Sequence, residues 1–175
     1  MVKLVIFGNS GSGKSTLAKA LAARHQAPHL DLDTIAWRAD QPGVRADVAE
    51  SERALLDFIA ANPSWVIEGC YAGLLRVAAP HCSELIFLNP GIEACVANCR
   101  ARPWEPHKYA SAEAQDANLQ MLLAWVREYE TRGDEFSLHE HRKLFAGHAG
   151  AKTEYHSNTE AAARFDHLEE GVSAT

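Results

Sequence analysis

Short apolar runs alternate with stretches of helical periodicity along most of the chain. Val2 to Phe7 is an apolar run closed by a glycine, the pattern of a central parallel strand. Lys14 to His25 follows, with Leu17, Ala20, Leu21 and Arg24 at helical spacing. His29 to Leu32 reads as a brief second strand. Ala46 to Ala61 reads as a helix with Val48, Leu55, Phe58 and Ile59 as its apolar positions, stopped by Asn62-Pro63. Trp65-Val66-Ile67 is a third strand and Leu85 to Leu88 a fourth, closed by Asn89-Pro90-Gly91. Ile92 to Arg102 is helical up to Pro103. Ser111 to Arg132 carries a long helix with Leu119, Leu122, Leu123, Val126 and Tyr129. Ser137 to Glu140 has the spacing of a capping box and opens another helix. Lys152 to His156 is a fifth strand. A second capping box, Ser157 to Glu160, opens a final helix to about Glu170, and 171–175 is a loose tail.

This alternation predicts an α/β domain, a parallel sheet covered by helices. The 175 residues suit one domain over 1–170. A domain of that size buries roughly 70% of its unfolded-chain surface and needs no disulfide or metal staple. The stretch 102–111 is polar, proline-interrupted and aromatic, an excursion from the sheet rather than a linker.

Charge and composition remove several functions. The net charge is −6 with no Lys/Arg stripe, which argues against capture of a nucleic-acid backbone. No run of 18 apolar residues occurs, so no membrane span is expected, and the apolar N-terminus lacks a cleavage site. A cytoplasmic location follows as the expectation. Cys70, Cys82, Cys95 and Cys99 lack the spacing of a zinc site and read as buried small hydrophobes in a reducing compartment.

The chemistry begins at Gly8-Asn9-Ser10-Gly11-Ser12-Gly13-Lys14-Ser15, which matches G-x-x-x-x-G-K-[ST] at every fixed position and lies between a strand and a helix. The glycines let the backbone curl and point N–H groups inward. The helix that opens there, with Thr16 in its first turn, adds its positive end. Lys14 supplies a mobile cation for β- and γ-phosphates, and the Ser15 hydroxyl is a hard ligand suited to Mg²⁺. The expected ligands are ATP and ADP with Mg²⁺.

Acids and arginines around the loop are the candidates for the rest of a phosphoryl-transfer site. Period-two alternation puts Asp31 and Asp33 on one face at the carboxyl edge of the second strand. Asp33 orients or deprotonates an acceptor hydroxyl, or holds Mg²⁺ through water; alternatively Asp31 or Asp33 N-caps a short helix. Glu68 closes an apolar strand in the Walker B layout and is the second acid for the metal. Arg100 and Arg102, with Arg100 ahead, are placed to close over the γ-phosphate, or merely to offset a helix dipole. Arg38, Arg53 and Arg76 are candidates for the second substrate. Trp37, Trp104 and Trp125 can stack on a base or pack.

These features together resemble the small P-loop kinases related to adenylate, shikimate and gluconate kinases, and most of all the adenylate-kinase-like proteins labelled DNA topology modulation proteins. The resemblance rests on GNSGSGKS at 8–15, LDLD at 30–33, WVIEG at 65–69, ELIFLN at 84–89 and Arg100/Arg102, and reaches about residue 160. It implies a three-layer fold with a five-stranded parallel sheet of order 2-3-1-4-5, a substrate-binding region at about 34–64 and a helical lid at about 103–135. It implies that Asp33 contacts Mg²⁺ or the acceptor, and that Ser157 and Asn158 lie where the adenine ring sits. The glycine triplet of shikimate kinases is absent, replaced by Glu68-Gly69-Cys70-Tyr71.

Two functions follow as expectations. One is a kinase that moves the ATP γ-phosphate to a small hydroxyl or phosphate acceptor. The other is an ATP-dependent switch acting through a protein or DNA partner. A GTPase is disfavoured because Asn89-Pro90-Gly91-Ile92 lacks the N-K-x-D pattern of a guanine reader. Monomer and homodimer both stay open.

Overall fold

A computed structural model of the chain describes residues 1–41, 43–106 and 109–166. Five strands form one parallel sheet: β1 (Lys3–Gly8), β2 (His29–Asp31), β3 (Trp65–Gly69), β4 (Glu84–Leu88) and β5 (Lys152–Tyr155), in the order β2-β3-β1-β4-β5. The eight α-helices among the described residues are α1 (Lys14–Arg24), α2 (Asp33–Ala36), α3 (Val48–Ala61), α4 (Ala72–Ala78), α5 (Ile92–Ala101), α6 (Ala112–Arg127), α7 (Leu138–Gly147) and α8 (Asn158–Asp166).

The three central strands carry unbroken apolar runs, Leu4 to Phe7, Trp65 to Ile67 and Leu85 to Leu88, because both faces of the sheet are covered. Val5 and Phe7 of β1, Trp65 and Ile67 of β3, and Leu85 and Phe87 of β4 face α3, α4 and α7. Leu4, Ile6, Val66, Ile86 and Leu88 face Ala18, Leu21 and Ala22 of α1 and Ala161 of α8. Phe7 and Phe87 are register partners, and their rings stack at 4.7 Å between centroids. A third apolar cluster joins Cys95, Val96 and Cys99 of α5 to Leu123 and Val126 of α6. Thus Cys95 and Cys99 are buried as expected, whereas Cys70 and Cys82 are half-buried; all four are free thiols.

Boundaries shift where capping decides them. Asp47 accepts hydrogen bonds from the Ala49 and Glu50 amides, so α3 starts at Val48, which is exposed rather than a core position. The long helix stops at Arg127 and tightens into a 3₁₀ turn over Glu128–Glu130. Ser137 caps α7 as its spacing suggested, and Ser111 caps α6. The hydrophobic pattern carries no signature of α4. It is a single short helix carrying Gly73 and followed by Pro80, too brief to show a period. The last part of the expected final helix and the tail at 171–175 lie outside the described residues.

One buried polar group links α7 to the end of β3 and to the 3₁₀ turn after α6. His141 of α7 is fully buried and meets Phe7 edge-on at 5.4 Å. Its Nε2 lies 2.9 Å from the Cys70 carbonyl oxygen, which only accepts, so Nε2 carries the proton. Nδ1 then accepts from the Tyr129 hydroxyl at 2.7 Å. Burial lowers the His141 pKa to about 4. A histidine with a depressed folded-state pKa stabilises the fold above its ordinary value of 6.5, and that contribution is lost as pH falls towards 4. Unfolding by urea is therefore expected to lose about 3 kcal/mol between these pH values through this residue. His141→Gln should flatten that segment of the stability profile, as measured by urea midpoints at half-unit pH steps.

Candidate functional site

The carboxyl ends of β1, β2 and β3 open into a cleft of about 1610 Å³. β1 ends at Gly8, and α1 begins at Lys14, which lines the cleft. Between them the loop takes left-handed conformations at Gly11 (φ 78°) and Gly13 (φ 93°). A Cβ on Gly11 would sit 2.3 Å from the Cys95 carbonyl oxygen, and one on Gly13 would sit 2.4 Å from Asn158 Nδ2. Glycine is required at both positions on conformation and on space.

Three asparagine side chains fix this loop from three elements. Asn9 Nδ2 donates to the Val126 carbonyl in α6 at 3.1 Å, while its Oδ1 accepts from the Ser10 amide at 2.8 Å. Asn98 of α5 donates to the Gly11 carbonyl at 2.8 Å and to Asn158 Oδ1 at 3.1 Å. Asn158, the first residue of α8, donates to the Ser12 carbonyl at 2.7 Å. Lys14 Nζ lies along the loop, 3.0 Å from the Asn9 carbonyl oxygen. The first turn of α1 carries no acidic residue and no side-chain cap, so its N–H groups and positive end point into the cleft. This is an anion-binding surface built from backbone.

Acidic groups stand opposite. Glu68 ends β3, is 2% exposed, and accepts a 2.7 Å hydrogen bond from Ser15 Oγ. Burial raises its pKa against the opposing pull of Lys14. Asp31 and Asp33 both line the cleft. They reach it differently from the expected strand alternation: β2 ends at Asp31, Leu32 turns into the right-handed helical region, and Asp33 starts α2. Asp31 Oδ1 accepts from the Asp33 amide at 2.9 Å, so it serves the start of the short helix while staying at the cleft. Asp33 Oδ1 accepts from the Tyr71 hydroxyl at 2.5 Å.

Among the described residues no group of three or more His, Cys, Asp or Glu side chains forms a cage for a metal ion. The oxygen donors Ser15 and Glu68, with Asp31 and Asp33 in the same cleft, fit a hard cation that keeps several waters and shares phosphate oxygens, as Mg²⁺ does.

The arginines need correcting. Arg102 lines the cleft, paired with Glu105 at 3.2 Å and 3.9 Å from Cys99 Sγ. Arg100, favoured over Arg102 by position alone, is exposed and does not line the cleft, because the last turn of α5 rotates it away. Arg38 pairs with Asp40 at 3.1 Å on the exposed loop after α2, and Arg76 pairs with Glu140 across α4 and α7; neither lines the cleft. Arg53 is exposed on α3. Asn158 lines the cleft, whereas Ser157 does not: its Oγ accepts from the Glu160 amide at 3.0 Å. Trp37, Trp104 and Trp125 all line the cleft.

Three contributors escaped the sequence reading. Asn98 holds the loop, and nothing in the pattern of α5 marks it. Arg45 sets its guanidinium over the Trp37, Tyr71 and Phe136 rings at 5.2, 4.8 and 5.7 Å and meets Glu135 at 3.3 Å. Tyr71 carried one signal: it sits three residues beyond Glu68, at the carboxyl edge where ligands of open α/β sheets bind.

Similarity to solved structures decides the fold. Shikimate kinase from Acinetobacter baumannii, solved with shikimate, superposes with a TM-score of 0.51 at 15% identity, over 99% of this chain and 96% of that one. Shikimate kinase from Bacteroides thetaiotaomicron gives 0.55 at 17% identity, over 97% of this chain and 98% of that one. The Thermus thermophilus protein TT1252 gives 0.55 at 18% identity, over 99% and 98%. The chain has the small P-loop kinase fold. Within that fold the sheet order β2-β3-β1-β4-β5 is the one expected from the sequence. No family model matches the chain. An uncharacterised Bacillus subtilis protein, YqaC, is 26% identical over 141 residues, covering 78% of this chain and 79% of that protein. Among the described residues no helix is long and apolar enough to cross a membrane.

The tight seat of the P-loop gives a direct expectation. Gly11→Ala forces a left-handed alanine and a clash with α5 backbone, together costing about 1–3 kcal/mol or more at the loop. Affinity for MgATP measured by calorimetry should fall at least about tenfold, while far-ultraviolet circular dichroism stays unchanged. Wild-type affinity in that variant would mean that the loop has room to shift.

Proposed function

We propose that the chain is an ATP-dependent phosphotransferase that moves the γ-phosphate of MgATP to a small hydroxyl or phosphate acceptor. One observation carries the reading: a phosphate-binding loop and a separate carboxylate, Asp33, line one cleft, with the Ser15–Glu68 pair lining it too. A nucleotide-binding switch needs the first of these and has no use for the second.

The roles follow from position. The amides of Gly8 to Ser15 and the start of α1 hold the phosphates, with Thr16 in the same turn. Lys14 offsets charge on the β- and γ-phosphates, and Arg102 supports it from the start of the segment ahead of α6. Ser15 with Glu68 would hold Mg²⁺, which supplies charge neutralisation at the phosphates when bound. Asp33 orients the acceptor hydroxyl and accepts its proton. Asp31 keeps Asp33 in place by capping the turn that carries it. Asn98, Ala101, Asn158 and Ala161 form the wall beside the P-loop on the side of α8, the place for the nucleoside.

A screen of ADP release tests this reading. Sugar acids, cyclic hydroxy acids and nucleoside monophosphates are offered with MgATP, and turnover that one class stimulates supports the kinase. Slow ADP release that no acceptor accelerates supports the switch instead. Lys14→Ala is expected to lower ADP production about a hundredfold with the fold intact by circular dichroism. Asp33→Asn is expected to lower kcat about 10²- to 10⁴-fold with the KM for MgATP held within about twofold. Equal losses in both parameters would assign Asp33 a structural part.

A further inference from the structure

The acceptor side of the cleft contains a hydrogen-bonded chain that the kinase reading leaves unused. Trp37 Nε1 lies 2.6 Å from Tyr71 Oη, and Tyr71 Oη lies 2.5 Å from Asp33 Oδ1. An indole N–H only donates, so the tyrosine oxygen accepts from Trp37. Its single proton is thereby committed to Asp33. We propose that Tyr71 is the positioning residue for Asp33, holding one carboxylate oxygen so that the other is aimed at the acceptor, and that Trp37 sets the direction of that hydrogen bond.

This inference rests on the reading in which an acceptor meets Asp33, and it adds the device that fixes the carboxylate. Three observations make the chain a built one. Tyr71 is only 2% exposed, and its backbone is the N-cap of α4, with its carbonyl accepting from the Leu75 amide at 2.9 Å. Its ring is gripped on two sides, edge-on by Phe136 at 5.3 Å and by the Arg45 guanidinium at 4.8 Å. Its hydroxyl accepts from Trp37 and donates to Asp33, so neighbours fill both of its polar roles.

The far end of the chain is held as well. Trp37 forms an antiparallel bridge with Arg45, and the Ala46 amide donates to the Ala36 carbonyl at 3.0 Å. The loop between α2 and α3 therefore carries both the indole that orients Tyr71 and the cation that lies over its ring. An acceptor that moves this loop changes how firmly Asp33 is aimed. Among the described residues, the charged or titratable groups around Asp33 include Asp31 and Glu68 from the strand ends, Lys14 from α1 and Cys70 beside Tyr71. The hydrogen bond from Tyr71 reaches the Asp33 carboxylate from a neutral side chain that packing fixes in place.

Tyr71→Phe removes the hydroxyl and keeps the ring between Phe136 and Arg45. Two measurements then read the proposal. In nuclear magnetic resonance, the two Hα–Hβ couplings of Asp33 should differ widely in the wild type, as in one rotamer, and converge on averaged values in Tyr71→Phe. The Trp37 indole N–H resonance, assigned by its loss in Trp37→Phe, should move upfield in Tyr71→Phe. In kinetics, with whichever acceptor the screen yields, kcat should fall about tenfold in Tyr71→Phe and less in Trp37→Phe, with the KM for MgATP unchanged. Unchanged Asp33 couplings overturn the proposal. So does an unchanged kcat, or a kcat that falls only in step with the melting temperature and the KM for MgATP. If no acceptor stimulates the wild type, the kinase reading fails on that result, while the couplings still decide whether Tyr71 fixes Asp33.

Discussion

The loop from Gly8 to Ser15 must offer bare N–H groups to a polyphosphate, and so it cannot carry the side chains that would normally hold a loop in shape. The surrounding elements hold it instead. Asn9 reaches α6, and Asn98 of α5 and Asn158 of α8 reach back to the Gly11 and Ser12 carbonyls. The Asn98 and Asn158 amides satisfy backbone oxygens of the curled loop, and the Asn9 amide ties the loop to the Val126 carbonyl at the end of α6. Gly11 lies directly against the backbone of α5, too close for a Cβ. Helices that are distant in sequence thus share one task. The apolar seam between α5 and α6, made by Cys95, Val96, Cys99, Leu123 and Val126, keeps two of the three anchors at fixed separation. A cavity there would act on nucleotide affinity through geometry alone.

Charge placement follows from the same demand. A carboxylate is tolerated deep in the strand ends only with a donor, and Glu68 has the Ser15 hydroxyl at 2.7 Å. Burial and the acids Asp31 and Asp33 raise its pKa, while Lys14 and Ser15 pull it down. The cleft holds like charges on one wall and a cation on another, an arrangement costly to an isolated fold and useful to a phosphate ligand with a divalent cation. Beside Glu68, at 3.9 Å, His29 Nε2 is buried without a hydrogen-bond partner, and burial lowers the His29 pKa.

The phosphate half of this cleft was legible in the sequence because it is local. Eight consecutive residues carry the loop, and two strand ends carry Asp31 and Glu68. The apolar runs of β1, β3 and β4 were legible for the same reason, since each is buried on both faces. Arginine roles were not. Arg100 and Arg102 are two apart at the end of a helix, and only the path of the backbone after Ala101 decides that Arg102 turns inward. Arg38 and Arg76 found carboxylates, Asp40 and Glu140, that no spacing rule links to the site. The short helix α2 was legible only as the alternative role of Asp31 and Asp33 as caps, and α4 showed no signal, because four or seven residues carry too little periodicity to separate from loop.

The acceptor half shows why function is harder to read than fold. Asp33, Trp37, Arg45, Tyr71, Glu135 and Phe136 come from widely separated stretches, and none has a motif of its own. Their meaning lies in direction: an indole that can only donate, a phenol with one proton, a carboxylate that can only accept. Such a chain has one consistent polarity, and that polarity ends at Asp33. A substitution that preserves size but not donor character, such as Tyr to Phe, leaves the core packing nearly unchanged and removes the directional information. The physical content of this half therefore lies in hydrogen positions, which composition and periodicity do not encode and which the heavy-atom geometry of three side chains determines.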